Sequence, residues 1–448
     1  MSPSNPSPGM LAAAKTMLQK QPRRPSIYSS KQDYLTGLRG ILAVQSFVWL
    51  FFQTFIPALV SNSANDYASQ PTYQVIIRKV FSPLLWDESL IYSFFIILSA
   101  RTVCIHFLQD ASTPKFARTL ISRPIRVGIP ISIALACSIA IFSAIDVSYI
   151  AQAASVLKSS TLEAPRASSN AITGFNSIYD LLWVYQDFAL QAGNQMWPSG
   201  TLWVVSVIYF QSWTVFAFMV ILPFTRPGWH LQGLIWFGLG SFWFNTWGWY
   251  SAVGLLVADL SLNPALRSAL GRGIRLPSVD FRMPYWSLAL GFFAIGTALK
   301  YVWVSAFPSH INAELSIHPA KHLQPADGLG NLDSKQPYPR LDNFLVILGT
   351  LLILELSERA QSLLSFKVLR YLGSRSLSIF VSQSILLYTA GLKIFIVLVD
   401  TNISTAGAKA VVFVVCLPAT LLGAELFHRA IDQPSQWFGQ AFFRWTRN

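Results

Sequence analysis

Long apolar runs broken by short polar stretches dominate the chain. Ten spans can be drawn from them, most long enough to cross roughly 30 Å of hydrocarbon as helices. They lie at about 36–60, 83–108, 127–146, 199–223, 230–245, 247–262, 285–306, 342–357, 376–399 and 406–428. The fifth and sixth are short and share a turn near Asn245–Gly248. The pattern predicts an all-α, polytopic integral membrane protein of about ten transmembrane helices, with both termini on one side. Residues 147–198 hold an amphipathic piece around Tyr179–Leu190, expected as an interfacial or re-entrant helix. Residues 307–341, rich in Pro, Gly, His and Asp, read as an irregular loop. No internal repeat or inverted pseudo-symmetry is visible, which argues against a transporter built on repeats.

Composition supports this picture and narrows the class. Of 448 residues, 53% are hydrophobic and only 12% are charged, against about 25% charged in soluble domains. A soluble enzyme, a nucleic-acid binder and a disordered scaffold are thereby excluded. The net charge of +13 is a matter of topology. On the ten-span frame, 21 of the 33 Lys and Arg residues fall on the side of the N-terminus and eight on the other. Arg39, Arg101, Lys300 and Lys393 fall within spans. Basic residues concentrate in cytoplasmic loops, so both termini are expected to be cytoplasmic. Residues 1–33 are rich in Pro, Ser and basic residues with no apolar core. They are expected as a disordered cytoplasmic tail with no cleavable signal peptide. Residues 34–437 then form the transmembrane domain and 438–448 a short amphipathic tail. The expected location is an endomembrane (ER or Golgi) or the plasma membrane. Cys104, Cys137 and Cys416 lie in or beside apolar runs and read as small buried hydrophobes.

Ionisable residues at membrane depth are costly and mark candidate sites. Arg39 leads these. Residues seven apart on a helix lie about 20° out of alignment, so Ser46 and Gln53 continue its face, with Leu50, while Trp49 points about 80° away. Arg39 either anchors a ligand or snorkels to headgroups. Arg118, Arg123 and Arg126 form a basic cluster where the third span begins. It suits the phosphates of a nucleotide-like donor such as a coenzyme A thioester, or else anionic lipid. In the fourth span Trp203, Ser206, Tyr209, Gln211 and Ser212 either line a pocket or join helices. Gln383, on the face of Ser376 in the ninth span, carries the same two readings. Glu425 and His428 are three apart and read as a structural pair. His310, His318 and His322 have no Cys or compact acidic partner, so no metal site is expected. G-x-S-x-G, H-E-x-x-H and a phosphate-binding glycine loop are all absent from the sequence.

Six short motifs, in order, resemble the membrane-bound acyltransferase-3 family, above all its fungal branch. They are Tyr34-Leu-Thr-Gly-Leu-Arg39-Gly, Phe94-Phe-Ile-Ile-Leu-Ser99-Ala, Arg123-Pro-Ile-Arg126-Val-Gly-Ile-Pro130, Leu202-Trp203 through Phe216, Tyr371-Leu-Gly-Ser-Arg-Ser-Leu-Ser378, and Ala424-Glu425 through Asp432-Gln-Pro434-Ser435. They span about residues 34–437. The resemblance implies acyl transfer, often of acetyl, from cytoplasmic acyl-CoA to a hydroxyl. It also implies a histidine base about eleven residues beyond the first-span arginine. Here Trp49 and Leu50 occupy that region. The family's fourth-span glutamate falls on Ile208, and a ninth-span histidine falls on Gln383.

Two expectations follow. In the first, the protein is a membrane-bound O-acyltransferase with its base relocated, for example to a loop histidine or Glu425. It uses acyl-CoA, chiefly acetyl-CoA, as co-substrate with no bound cofactor, and a hydroxylated small molecule, plausibly a specialised (secondary) metabolite, as acceptor. Arg39, Gln53 and Gln383 are then its catalytic candidates, and Arg118, Arg123 and Arg126 its donor-binding candidates. Trp203, Tyr209 and Gln211 are its acceptor-binding candidates. Its other partner is the lipid bilayer, with no nucleic acid. In the second, the protein is a catalytically silent carrier or scaffold on the same frame.

Overall fold

The computed structural model describes residues 32–60, 71–109, 113–184, 187–262, 273–275, 282–308, 310, 314–315, 318 and 337–447. The N-terminal tail to residue 31, His322 and most of the 307–341 segment lie outside these. The regular secondary structure of the described chain is helical apart from one two-residue antiparallel ladder, β1 (Ile274–Arg275) with β2 (Arg282–Met283).

Each of the ten apolar runs folds as a helix. In chain order the helices are α1 (Asp33–Phe55), α2 (Thr72–Leu85), α3 (Glu88–Gln109), α4 (Thr113–Ala144), α5 (Ser148–Leu157), α6 (Ala171–Trp183) and the single turn α7 (Ala192–Gln195). Then come α8 (Trp203–Ile221), α9 (Pro227–Trp243), α10 (Gly248–Leu262), α11 (Tyr285–Tyr301), α12 (Leu341–Leu356), α13 (Glu358–Leu364) and α14 (Lys367–Ser374). Last are α15 (Ser376–Leu386), α16 (Leu392–Asp400), α17 (Thr405–Phe427) and α18 (Gln433–Arg447). Seven helical segments are long and apolar enough to cross a membrane, among the described residues. The helices α9, α10 and α12 have 17, 15 and 16 residues, roughly 22–26 Å at 1.5 Å per residue. They fall short of the hydrocarbon thickness as straight single helices, so by length and composition they stand apart from the seven candidate spans.

Side-chain caps set a few of the element boundaries. The Asn170 side chain accepts from the Thr173 backbone N–H at 2.8 Å and caps α6. That cap starts the amphipathic helix at Ala171, eight residues before the expected Tyr179–Leu190 piece, and the helix ends at Trp183. Its exposed Ile172, Phe175, Tyr179 and Trp183 form one apolar stripe. The third apolar run is only the later part of α4, whose 32 residues carry Arg118, Arg123 and Arg126 on its earlier turns. Helix α18 is continuous across residues 437 and 438 and packs along α4, with Gly439 close to Ser122 and Ile125.

Among the described residues, π-helical turns interrupt long helices at Leu387–Gly391 and His428–Asp432, and another closes α11 at Val302–Ala306. Such turns are frequent at functional sites.

Glycines set the closest helix contacts. A Cβ on Gly37 would sit 1.7 Å from the Leu364 carbonyl oxygen, and one on Gly373 would sit 1.7 Å from that of Thr36. Backbone therefore meets backbone where α1 crosses α13 and α14. Helices α11 and α12 are joined likewise, with Gly296 against the Val346 nitrogen and Gly349 against that of Phe293.

Two buried ionic clusters fasten the bundle. Near one end Arg101 of α3 ion-pairs with Glu355 of α12, and both bond the Tyr34 hydroxyl of α1. At the other end Lys300 of α11 reaches Asp87 at 3.2 Å and Asp342 at 3.8 Å, and donates to the Asn343 side-chain oxygen at 2.5 Å. Arg340 joins that cluster through Asp342 and Glu314.

Candidate functional site

The charges of Arg39 and Arg123 are held by neutral groups. Arg39 donates from Nη2 to the Leu98 carbonyl at 3.2 Å and to Thr102 Oγ1 at 2.5 Å, both on α3. Arg123 donates to Ser99 Oγ at 2.5 Å and to Ser212 Oγ at 3.1 Å, clamping α4 onto α3 and α8. Among the described residues no carboxylate lies within ion-pair distance of either, whereas Arg101, Arg340 and Arg375 all have one. Both side chains are half-buried, and Arg126, exposed on the same helix, is near enough for its charge to act on both. Arg118 is exposed one and a half turns before Arg123.

The six motifs meet at this end of the bundle. Arg39 of the first and Arg123 of the third both grip the second, at Leu98 and Ser99. Arg123 also holds Ser212 of the fourth. Gly37 and Gly40 of the first seat against α13 and α14, and Gly373 of the fifth lies against Thr36 and Gly40. Glu425 of the sixth accepts from Tyr371 Oη at 2.8 Å and pairs with Arg375, both in the fifth. Asp432 of the sixth acts electrostatically on Arg126.

From here a polar thread runs through the apolar core. Gln383 Nε2 donates to Ser46 Oγ at 2.8 Å, and Ser46 lies 3.5 Å from the Tyr92 hydroxyl. Gln383 Oε1 is buried with no hydrogen-bond partner. Tyr92 stands edge-on to Trp49, Trp203 and Phe380, with centroids 5.6–5.9 Å away. Ser384, beside Gln383, shares a hydrogen bond of 2.8 Å with Ser199.

The thread ends at a cavity of about 810 Å³ at the opposite end of the bundle. Gln53, Glu88, Trp197, Trp203, Lys300 and Tyr388 are among its walls. Gln53 is fourteen residues beyond Arg39 on α1, an axial rise of about 21 Å. The π turns at 302–306 and 387–391 supply Val304 and Tyr388 to the wall.

The structure divides the residues singled out from sequence. Gln53 and Trp203 line the cavity, Gln383 lies on the thread, and Arg39, Arg123 and Arg126 gather at the other end. Tyr209 and Gln211 are two apart and therefore about 200° apart around α8. Tyr209 packs on Trp183 and Trp213, and Gln211 accepts from Ser251 Oγ of α10 at 2.9 Å. Neither is among the lining residues. Trp49 and Leu50 are fully buried and do not line it either.

The expected Glu425–His428 pair is not formed. Glu425 is taken by Arg375, Tyr371 and Arg429. His428 Nδ1 lies 2.7 Å from Asp432 Oδ2 across the π turn. Of the far-side histidines, His318 is buried with Nδ1 2.8 Å from the Phe242 carbonyl. Among the described residues no group of three or more His, Cys, Asp or Glu side chains is arranged to hold a metal.

Sequence reasoning missed Glu88, Tyr92 and Lys300 as neighbours of this site. A signal existed, because Asp87-Glu88 opens an apolar run with two carboxylates at membrane depth. Comparison of the chain with protein-family models, with curated proteins and with solved structures gives no match in any of the three.

Proposed function

We propose that the protein is a membrane-embedded O-acyltransferase that moves an acyl group, chiefly acetyl, from coenzyme A to a hydroxyl of a small molecule. The observation that carries this reading is the pair of half-buried, carboxylate-free arginines, Arg39 and Arg123. A guanidinium left without a counter-charge in low-dielectric surroundings is costly, and an anionic ligand repays that cost. Coenzyme A brings phosphates, and its thioester lies at the end of a long flexible arm. With the phosphates at Arg118, Arg123 and Arg126, the arm follows the Arg39–Ser46–Gln53 face to the cavity, where the acceptor waits.

In the reaction the acceptor oxygen attacks the thioester carbonyl. A C–O bond forms and the C–S bond breaks. The hydroxyl proton passes to a base and from there to the departing thiolate. In this reading the chain has ten spans and the arginine end faces the cytoplasm, in an endomembrane or the plasma membrane. A specialised metabolite is the acceptor in this reading.

One observation favours the silent carrier or scaffold instead. Trp49 and Leu50, where the resemblance implies a histidine, are sealed in the core.

The test is labelled acetyl-CoA with purified protein in nanodiscs. Wild type is expected to bind it saturably and cleave it slowly, and Arg123→Ala/Arg126→Ala to weaken binding by at least tenfold. Absence of binding by the wild type would sink the transferase reading.

A further inference from the structure

We infer that Glu88 is the general base of this site, taking the proton from the acceptor hydroxyl in place of the histidine that the resemblance leads one to expect. The assignment rests on the acyl-transfer reading above and adds to it the group that does the proton chemistry.

Adjacent carboxylates at the start of α3 have different surroundings. Asp87 is committed to structure. Its Oδ1 caps the helix by accepting from the Leu90 backbone N–H at 2.9 Å, and it ion-pairs with buried Lys300 at 3.2 Å. Glu88 is not needed for either task. Its side chain is part of the cavity wall, within reach of the Trp203 indole, which lines the same cavity. Asp87 lines the cavity too, but its cap and ion pair hold it in place, and adjacent carboxylates with different surroundings take different roles.

Position along the bundle agrees. Tyr92 is one turn beyond Glu88 on α3 and packs on Trp49, one of the two positions where a histidine is expected. Gln53 is one turn beyond Trp49 on α1 and lines the same cavity as Glu88. The protic group is thus displaced by about one turn, roughly 5 Å, toward the cavity, and carried by α3 rather than α1. An acyl group threaded past Ser46 emerges between Gln53 and Glu88. A hydroxyl seated there gives its proton to the Glu88 carboxylate as the C–O bond forms, and the glutamic acid returns it to the thiolate as the C–S bond breaks. Of the other carboxylates, Glu163 also lines the cavity but sits exposed on the loop before α6, and Glu425 is held by two arginines at the far end of the bundle.

The experiment uses full-length protein in nanodiscs with labelled acetyl-CoA, and water, methanol and glycerol as acceptors. Donor binding and thioester cleavage are measured separately. Glu88→Gln is expected to bind the donor as wild type does and to lose cleavage by about 10²–10⁴-fold. The acid limb of the pH–rate profile should disappear with it. Glu88→Asp, which keeps a carboxylate, should retain part of the rate and the acid limb. It also guards against misreading a misfolded Gln variant. Cleavage by Glu88→Gln within threefold of wild type overturns the assignment alone. Failure of the wild type to bind or cleave the donor overturns acyl transfer itself, and the assignment with it.

Discussion

Replacing Gly373 by Ala adds one methyl group at a place where the structure leaves no room for it. The new Cβ would lie 1.7 Å from the Thr36 carbonyl oxygen. Ordinary C···O contacts need about 3.3 Å, so α14 and α1 must part locally by about 1.6 Å. The obstacle is helix backbone and has no rotamer to change, which places the cost near the top of the usual 1–3 kcal/mol for overpacking. Ala gains about 1 kcal/mol over Gly in a helix, leaving a net loss of about 2 kcal/mol. Gly238 of α9 provides the control, because a Cβ there meets nothing within 4 Å. The same change at Gly238 should be neutral or stabilising by up to about 1 kcal/mol. Thermal unfolding of both variants in one detergent or nanodisc preparation reads the difference. A Gly373→Ala protein as stable as Gly238→Ala would refute the backbone contact on which the docking of α1 rests.

Arg101→Met should cost about 3–5 kcal/mol by stranding the buried Glu355 carboxylate, and Glu355→Leu a similar amount. The double variant should recover most of either loss, and simple additivity of the two losses in thermal unfolding would contradict the pairing. Glu314 gives a pH dependence. Burial and the neighbouring Asp342 push its carboxyl up to about 7, in spite of Arg340. The folded state therefore binds the extra proton between the ordinary glutamate range and about 7. Stability should fall as pH rises through that window and level off above it. Glu314→Gln should flatten this part of the pH–stability curve, and a slope left unchanged would show that another group causes it.

The sequence showed where helices form more plainly than what they touch. Hydrophobic length placed all ten apolar helices, because burial of long apolar runs is local information. The Arg39–Ser46–Gln53 face was legible too, since one helix carries it whole. Ser46 does meet Gln383, and Gln53 does reach the cavity. Pairings between helices were not legible. Lys300 with Asp87 and Arg101 with Glu355 join residues more than two hundred positions apart, and Lys300 with Asp342 joins residues on separate helices, none of which any periodicity relates. Glu425 and His428 failed for a local reason. The π turn at 428–432 shifts the register and brings His428 to Asp432, while Arg375 approaches from another helix. At α6 the signal was present in Asn170-Ala-Ile-Thr173, a cap that the apolar pattern outweighed.

The contact between Gly37, Gly40 and Gly373 also bears on what a motif can report. Two of the six motifs contain glycines that no other residue can replace without forcing α1 away from α13 and α14. Selection on folding alone would therefore preserve much of Leu-Thr-Gly-Leu-Arg-Gly and Tyr-Leu-Gly-Ser, whatever happened to catalysis. Over evolutionary time such a chain is free to move or discard its base while its most recognisable letters stay the same. Variation at position 88 among descendants of this fold would track chemistry, and variation at 37, 40 and 373 would track architecture.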